Sequence, residues 1–159
     1  IIQRSLEAAN QAPCHRMTFP WRFTSLGINK RELLCQLQFS LKFGNKPVDA
    51  FNFKKIKDKI LNPSHLFVAS QLISDDQDQK LEDYAACACA IQNLALSLVA
   101  DGVGCKWSTG KITKDSNTYE IAEINPSEEE IIGFIWIGYG IEPPLIKRPK
   151  LSTIYRDID

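Results

Sequence analysis

Residues 84–100 read YAACACAIQNLALSLVA, an almost wholly apolar stretch of helical length. The sequence predicts a helix here, because Asp101-Gly102 directly after the stretch is a stop signal. Apolar residues lie on nearly every face of this helix, so it needs cover on all sides. In a chain of only 18.0 kDa we expect part of that cover to come from a second copy of the protein. Burial wholly within one chain is the alternative.

Two further apolar stretches predict buried strands. Residues 131–138, IIGFIWIG, have an unbroken apolar pattern that requires helices on both faces of the strand. Residues 66–72 form a shorter run bounded by Pro63 and Ser74. Residues 21–25 alternate between apolar and polar, as in a half-buried strand. Helices between these strands predict a layered sheet with helices on both faces.

The connecting segments carry weaker signals. Pro13 ends the first helix near Gln11. Asn29 and Glu32 predict the cap of a second helix that ends near Gly44. An acidic, glutamine-rich loop is expected before residue 84, and the basic tail over residues 142–150 is expected to be irregular.

The composition excludes several classes of protein. The 159 residues suit one domain, and 44% hydrophobic with 24% charged residues is typical of a globular chain. Lysine and arginine number 19, as do aspartate and glutamate, so no overall field attracts nucleic acid or an anionic membrane. The lysines between residues 54 and 59 are expected on a solvated helix face, with nucleic-acid binding as a poorly supported alternative.

No targeting or membrane segment is recognisable in the sequence. No stretch of about 18 residues is free of polar interruption, and no basic segment precedes an apolar one at the N-terminus. We therefore expect a cytoplasmic protein that neither spans a membrane nor is exported. The chain begins at Ile1, without Met and already in a predicted helix, so we expect a native segment upstream of this single domain, residues 1–159.

Cysteine usage argues against disulfides and structural zinc. The five cysteines are odd in number and form no C-x-x-C pair. Only His15 and His65 could add imidazole ligands, so no metal site is expected. Cys14 beside His15 is a weak candidate for a thiolate pair, because neighbours in sequence seldom meet in catalytic geometry.

The segment Trp107-Ser108-Thr109-Gly110 is the candidate ligand-binding loop. The sequence has no G-x-G-x-x-G, no phosphate-binding G-x-x-x-x-G-K and no H-E-x-x-H. An indole, two hydroxyls and a glycine after a buried helix instead suit a planar ligand, whose acceptor atoms would meet backbone N–H groups. A simple turn whose tryptophan packs in the core is the alternative.

Three stretches in order give the chain a resemblance to a known family. Residues 7–23 contain A-P-C-H followed by P-W-R-F, which resembles the A-P-x-H...P-W-x-F stretch of small FMN-dependent nitroreductases, in particular their YdjA-like group. Residues 87–110 resemble that group's apolar helix, G-x-G and W-x-S-G loop. Residues 130–138 resemble its last strand, E-I-V-G-F-L-x-L-G.

The resemblance implies a fold and an activity. It implies an α+β, three-layer α/β/α nitroreductase-like fold with a central mixed, largely antiparallel sheet. It implies a homodimer with FMN in two sites at the subunit interface. In such enzymes NAD(P)H gives a hydride to flavin N5 in a ping-pong reaction, and a nitroaromatic, quinone or similar small aromatic acceptor then takes the electrons. The flavin carries the chemistry, so no catalytic side chain is required.

The resemblance also implies roles for individual residues. Gln11 and His15 stand at flavin-contacting positions, although backbone satisfaction of a helix-end histidine is the alternative. The loop that meets the flavin ring corresponds to Trp107, Ser108, Thr109 and Gly110, whose N–H groups would stabilise the reduced flavin. Arg148 in the tail is a candidate for the phosphate, with a solvated charge as the alternative.

Two departures from the family pattern keep a second hypothesis open. Phe19 stands where many relatives have a polar residue before the Pro-Trp pair. The family's Arg-Arg-Ser phosphate motif would lie upstream of Ile1, and Arg4-Ser5 is too close to Ala12-Pro13 to replace it. The alternative is therefore a noncatalytic flavin-binding or structural dimer that retains the fold. The sequence identifies neither the acceptor nor a preference for NADH or NADPH.

Overall fold

The computed structural model describes residues 1–141 and 144–158. Four strands form one sheet in the order β1-β2-β4-β3. They are β1 (Trp21–Ser25), β2 (His65–Leu72), β3 (Gly104–Ser108) and β4 (Glu129–Gly138). All three pairings between them are antiparallel. Glu142 and Pro143, the start of the predicted basic tail, lie outside the described residues.

Helices cover both faces of the sheet. On one face lie α1 (Ile2–Ala9) and α4 (Gln77–Ala100), and on the other lie α2 (Ile28–Phe43), α3 (Ala50–Leu61) and α5 (Ser116–Ala122). Three short 3-10 helices, at His15–Met17, Lys111–Lys114 and Leu151–Thr153, complete the elements of the described chain. The predicted α+β class, the three layers and the largely antiparallel character of the sheet are confirmed, but the sheet of the described strands is wholly antiparallel and not mixed.

The central strands separate two hydrophobic cores. On β2, Phe67 and Ala69 pack with α1 and α4, whereas Leu66 and Val68 pack with α2 and α3. Strand β4 is buried on both faces, as its unbroken apolar pattern predicts. Because these two strands are the inner ones, they hold the layers together from both sides.

Helix α4 buries one side and exposes the other. The buried side includes Ala86, Ala90 and Leu94, which pack against α1 and the sheet. The uncovered side carries Leu96, which is 59% exposed, and Val99. Its length and composition alone would also suit a membrane span, a property it shares with core helices of soluble proteins. One chain therefore covers only one side of this helix.

Three element boundaries differ from the sequence-based prediction. Helix α4 begins at Gln77 because the Asp76 carboxylate accepts from the N–H groups of Asp78 and Gln79, so most of the predicted acidic loop is helical. Gly27, and not Asn29, occupies the N-cap of α2. Trp107 and Ser108 belong to β3 and not to a loop, because they pair with β4.

A bulge at Gly133 sets the register of the sheet and admits the Trp107 indole. The β2–β4 register shifts between Ala69 and Ser70, so Ile132 and Phe134 face opposite cores although they are two residues apart. A Cβ placed on Gly133 would lie 2.2 Å from Trp107 Nε1 and 2.9 Å from the carbonyl oxygen of Ser108. Only glycine leaves room for this contact.

We expect Gly133→Ala to lower the free energy of unfolding by roughly 3 kcal/mol, because the new methyl group overlaps the Trp107 side chain. Gly140→Ala is the matched control, since a Cβ there meets no atom within 4 Å. Thermal and urea unfolding of both variants test this expectation. Equal stability of the two variants would contradict the proposed close packing.

Candidate functional site

The segment Thr109-Gly110 leaves the end of β3 and exposes backbone donors. The C-terminal end of this segment is held in place, because the Thr113 N–H and hydroxyl both donate to the Gly110 carbonyl, at 3.0 and 2.7 Å. Within residues 1–141 and 144–158, the N–H groups of Thr109 and Gly110 have no acceptor. A Cβ on Gly110 would meet no atom within 4 Å, so the space in front of this segment is open. The segment can therefore donate to a bound acceptor.

The two residues before this segment anchor it. Trp107 Nε1 donates to the Ile132 carbonyl at 3.3 Å, and the indole lies 6.2 Å from the Tyr84 ring. Ser108 Oγ accepts from Trp136 Nε1 at 2.6 Å. Trp107 is thus packed against the core, as the alternative interpretation of this stretch held. These contacts hold the Trp107 and Ser108 side chains in place, and the exposed residues Thr109 and Gly110 follow them directly.

Two cavities share Thr109, Gly110 and Lys111 in their walls. The smaller cavity, of about 420 Å³, lies between α2, α3 and the sheet. The larger cavity, of about 740 Å³, lies on the side of α4 and includes Leu81 and Tyr84. A ligand held by the Thr109-Gly110 segment therefore has room on either side of it.

The larger cavity contains a buried acceptor without a donor. Gln71 is only 2% exposed, and its Nε2 donates to Glu130 at 3.4 Å while its Oε1 has no partner among the described residues. Lys80 pairs with the same Glu130 carboxylate at 2.7 Å. Because an unpaired buried carbonyl is costly, Gln71 Oε1 is available to an N–H or O–H donor from a ligand or from water. Sequence reasoning missed this residue; its only signal was one glutamine inside an apolar run.

Gln11 and His15 lie in the segment that joins α1 to β1. Gln11 is exposed in the turn after α1, and His15 Nε2 is 3.8 Å from Glu82 Oε2 at the surface of α4. The segment is conformationally unusual, because Arg16, Met17 and Phe19 all have positive φ values.

Side-chain hydrogen bonds hold this unusual backbone in place. The Phe19 N–H donates to Cys14 Sγ at 3.2 Å, and the Thr18 hydroxyl donates to Asp83 at 2.6 Å. The segment is thus ordered by contacts to itself and to α4.

One chain does not bring all the predicted site residues together. Thr109 and Gly110 line both cavities, and Ser108 lines the smaller one. Gln11, His15, Trp107 and Arg148 line neither, and Arg148 is exposed in the tail. A site that used all of them would need a second subunit.

The described residues offer no thiolate or metal chemistry at this site. Burial raises the pKa of Cys87 to about 12 and that of Cys105 to about 11, so both thiols are protonated at neutral pH. Cys14 lines neither cavity. Across residues 1–141 and 144–158, no three His, Cys, Asp or Glu side chains form a metal-binding group. The backbone donors and the two cavities are the features left for function.

Comparison with known proteins finds relatives that are named as nitroreductases. The profile of the Nitroreductase family matches residues 1–139. The Bacillus subtilis protein named "Putative NAD(P)H nitroreductase YfhC" is 32% identical over 157 residues, which cover 93% of this chain and 77% of that protein. The Escherichia coli protein named "Putative NAD(P)H nitroreductase YdjA" is 25% identical over 142 residues, covering 86% and 74%.

Solved structures share the fold. A nitroreductase-like protein from Bacillus cereus superposes with a TM-score of 0.80 at 24% identity, over 99% of this chain and 83% of that one. A nitroreductase from Bacteroides fragilis, solved with bound FMN, gives a TM-score of 0.68 at 21% identity, over 98% and 84%. The expected nitroreductase-like fold is confirmed, and with the match over residues 1–139 the chain belongs to the nitroreductase family.

Proposed function

We propose that this protein is an FMN-dependent NAD(P)H oxidoreductase of nitroreductase type. The observation that carries the proposal is the pair of unpaired N–H donors at Thr109 and Gly110, placed between two cavities in a chain of this family. Such donors stabilise negative charge that develops on a bound planar ring. No side-chain acid or base is needed, because the cofactor supplies the chemistry.

The residues around the larger cavity fit FMN. Thr109 and Gly110 would donate to acceptor atoms of the ring system, and Gln71 Oε1 would accept from a ring N–H. Lys114 supplies positive charge in the same wall, suited to a phosphate, whereas Lys80 is neutralised by Glu130. FMN, when bound, accepts a hydride from NAD(P)H and passes electrons to a nitroaromatic, quinone or similar acceptor. The protein's own part is to orient the ring and to limit access of water.

A second subunit would complete the site. Gln11 and His15 are candidates for flavin contacts, and in one chain they lie away from both cavities. In this proposal the partner subunit brings its copies of these residues to the flavin, while Arg148 in the tail remains a candidate for the phosphate. A cytoplasmic location also remains part of the proposal.

The uncovered side of α4 supports a homodimer. Apolar residues recur along this side at helical spacing: Leu81, Ala85, Cys89, Leu96 and Val99 are exposed. Leu81 and Tyr84 on the same helix line the larger cavity. A second copy packed on α4 would cover an apolar surface and close this cavity in one step.

We expect the purified full-length protein to bind added FMN and to show a flavin absorption spectrum that bleaches on anaerobic titration with NADPH. Bleaching reports transfer of two electrons to the bound flavin. Binding without bleaching, or no binding at all, would favour the alternative, a noncatalytic dimer that retains the fold. The acceptor is then identified by the rate at which each candidate restores the oxidised spectrum.

Thr109→Pro removes one backbone N–H, and we expect flavin reduction by NADPH to slow by at least about tenfold. Thr109→Ala is the matched control, because it removes the side chain but keeps the N–H group. Stopped-flow absorbance on both variants, with melting temperature as a check on folding, tests the assignment. A folded proline variant that reduces its flavin at the wild-type rate would refute it.

Leu96→Arg should convert the dimer into a monomer of 18.0 kDa, because an arginine buried at the interface would lose its hydration without gaining a partner. Leu33→Arg is the control, since Leu33 is also exposed (46%) but lies on α2. Light scattering after size exclusion gives the mass, and flavin absorbance gives the occupancy. Retention of the dimer by Leu96→Arg would exclude this face of α4 as the interface.

A further inference from the structure

The smaller cavity has an aromatic floor and apolar walls. Phe134 and Trp136 of β4 form the floor, with ring centroids 5.9 Å apart. Aliphatic side chains of α2 and α3 line the walls, namely Leu34, Leu41, Ile56 and Ile60. With a volume of about 420 Å³, this cavity suits a ligand of one or two flat rings.

The rim of the smaller cavity is cationic. Lys42 from α2, Lys59 from α3 and Lys111 from the segment after β3 line it, and no carboxylate does. None of these three lysines has a carboxylate partner within the described chain, whereas Lys30 and Lys54 each have one. A chain with no net charge therefore concentrates unneutralised positive charge at one opening.

Lys59 is the cation placed closest to the aromatic floor. Its Nζ lies over the Trp136 ring, 5.1 Å from the centroid. Partial burial lowers the pKa of Lys59, and the charges of Lys106 and Lys42 lower it further. Lys106 pairs with Trp136 across β3 and β4, which places it on the same face of the sheet. An anion bound among these amines would relieve their mutual repulsion.

We propose that the smaller cavity binds a planar aromatic anion, with the ring on Phe134 and Trp136 and the anionic group at Lys42, Lys59 and Lys111. Resting on the proposed function, this names the acceptor class: a nitroaromatic or quinone that carries a carboxylate or sulfonate. The cavity reaches Thr109 and Gly110, so its ligand lies beside the segment assigned to the flavin. For a nitro acceptor, the overall reaction with NAD(P)H and one proton gives the nitroso compound, NAD(P)⁺ and water.

The test compares two ligands of matched shape, para-nitrobenzoate and neutral para-nitrobenzamide. We expect wild-type protein without flavin to bind the anion about tenfold more tightly in isothermal titration, the effect of one hydrogen bond to a charged group. Lys59→Gln should remove most of this preference. Lys57→Gln is the matched control, because Lys57 lies on the same helix and does not line the cavity.

Three results would overturn the proposal. The first is equal affinity of wild-type protein for the two ligands, and the second is an equal loss of preference in Lys59→Gln and Lys57→Gln. The third is loss of para-nitrobenzoate binding when FMN is saturating, since the cavity would then belong to the cofactor. Binding is measured without NAD(P)H, so a protein that keeps the preference but oxidises no NAD(P)H refutes the oxidoreductase function alone.

Discussion

The close approach of the Trp107 indole to the backbone of Gly133 fixes the geometry on which the site depends. Strand β3 lies at the edge of the sheet and has β4 as its neighbour, so its position is set by this contact and by the bond from Trp136 to Ser108. The bulge at Gly133 also assigns the residues of β4 to the two cores. The backbone donors after β3 therefore follow a strand end that two side-chain contacts hold in position.

The parts of the fold that the sequence predicts are those with a strong local signal. The apolar runs of β2 and β4 and the second half of α4 can be recognised without knowing their neighbours. The start of α4 depends on a side chain outside the helix, Asp76, which turns an acidic stretch into helix. Trp107 and Ser108 become strand only because β4 pairs with them, and a five-residue edge strand carries little pattern of its own.

The candidate site likewise contains residues that a local sequence signal predicts and residues that have no such signal. A glycine after two hydroxyl residues marks the Thr109-Gly110 segment, and the resemblance gives it a role. No sequence motif identifies Gln71, because its side-chain carbonyl is left without a partner by the tertiary packing around it. Lys42, Lys59 and Lys111 come from three separate elements and meet only once the layers have formed. Sequence patterns along one element cannot reveal a cluster that is assembled across several.

In the proposed function, the two cavities beside Thr109-Gly110 would use different kinds of recognition, which would separate the redox chemistry from the choice of acceptor. Backbone N–H groups act on the developing charge of a ring whatever side chains surround them. A rim of lysines discriminates by ligand charge, and a single substitution can alter it without moving the strand end that carries the donors. A fold built this way can keep one cofactor segment while the α2 and α3 side chains change the acceptor. In the proposed dimer, a partner packed on α4 would cover the wall of the larger cavity that Leu81 and Tyr84 form.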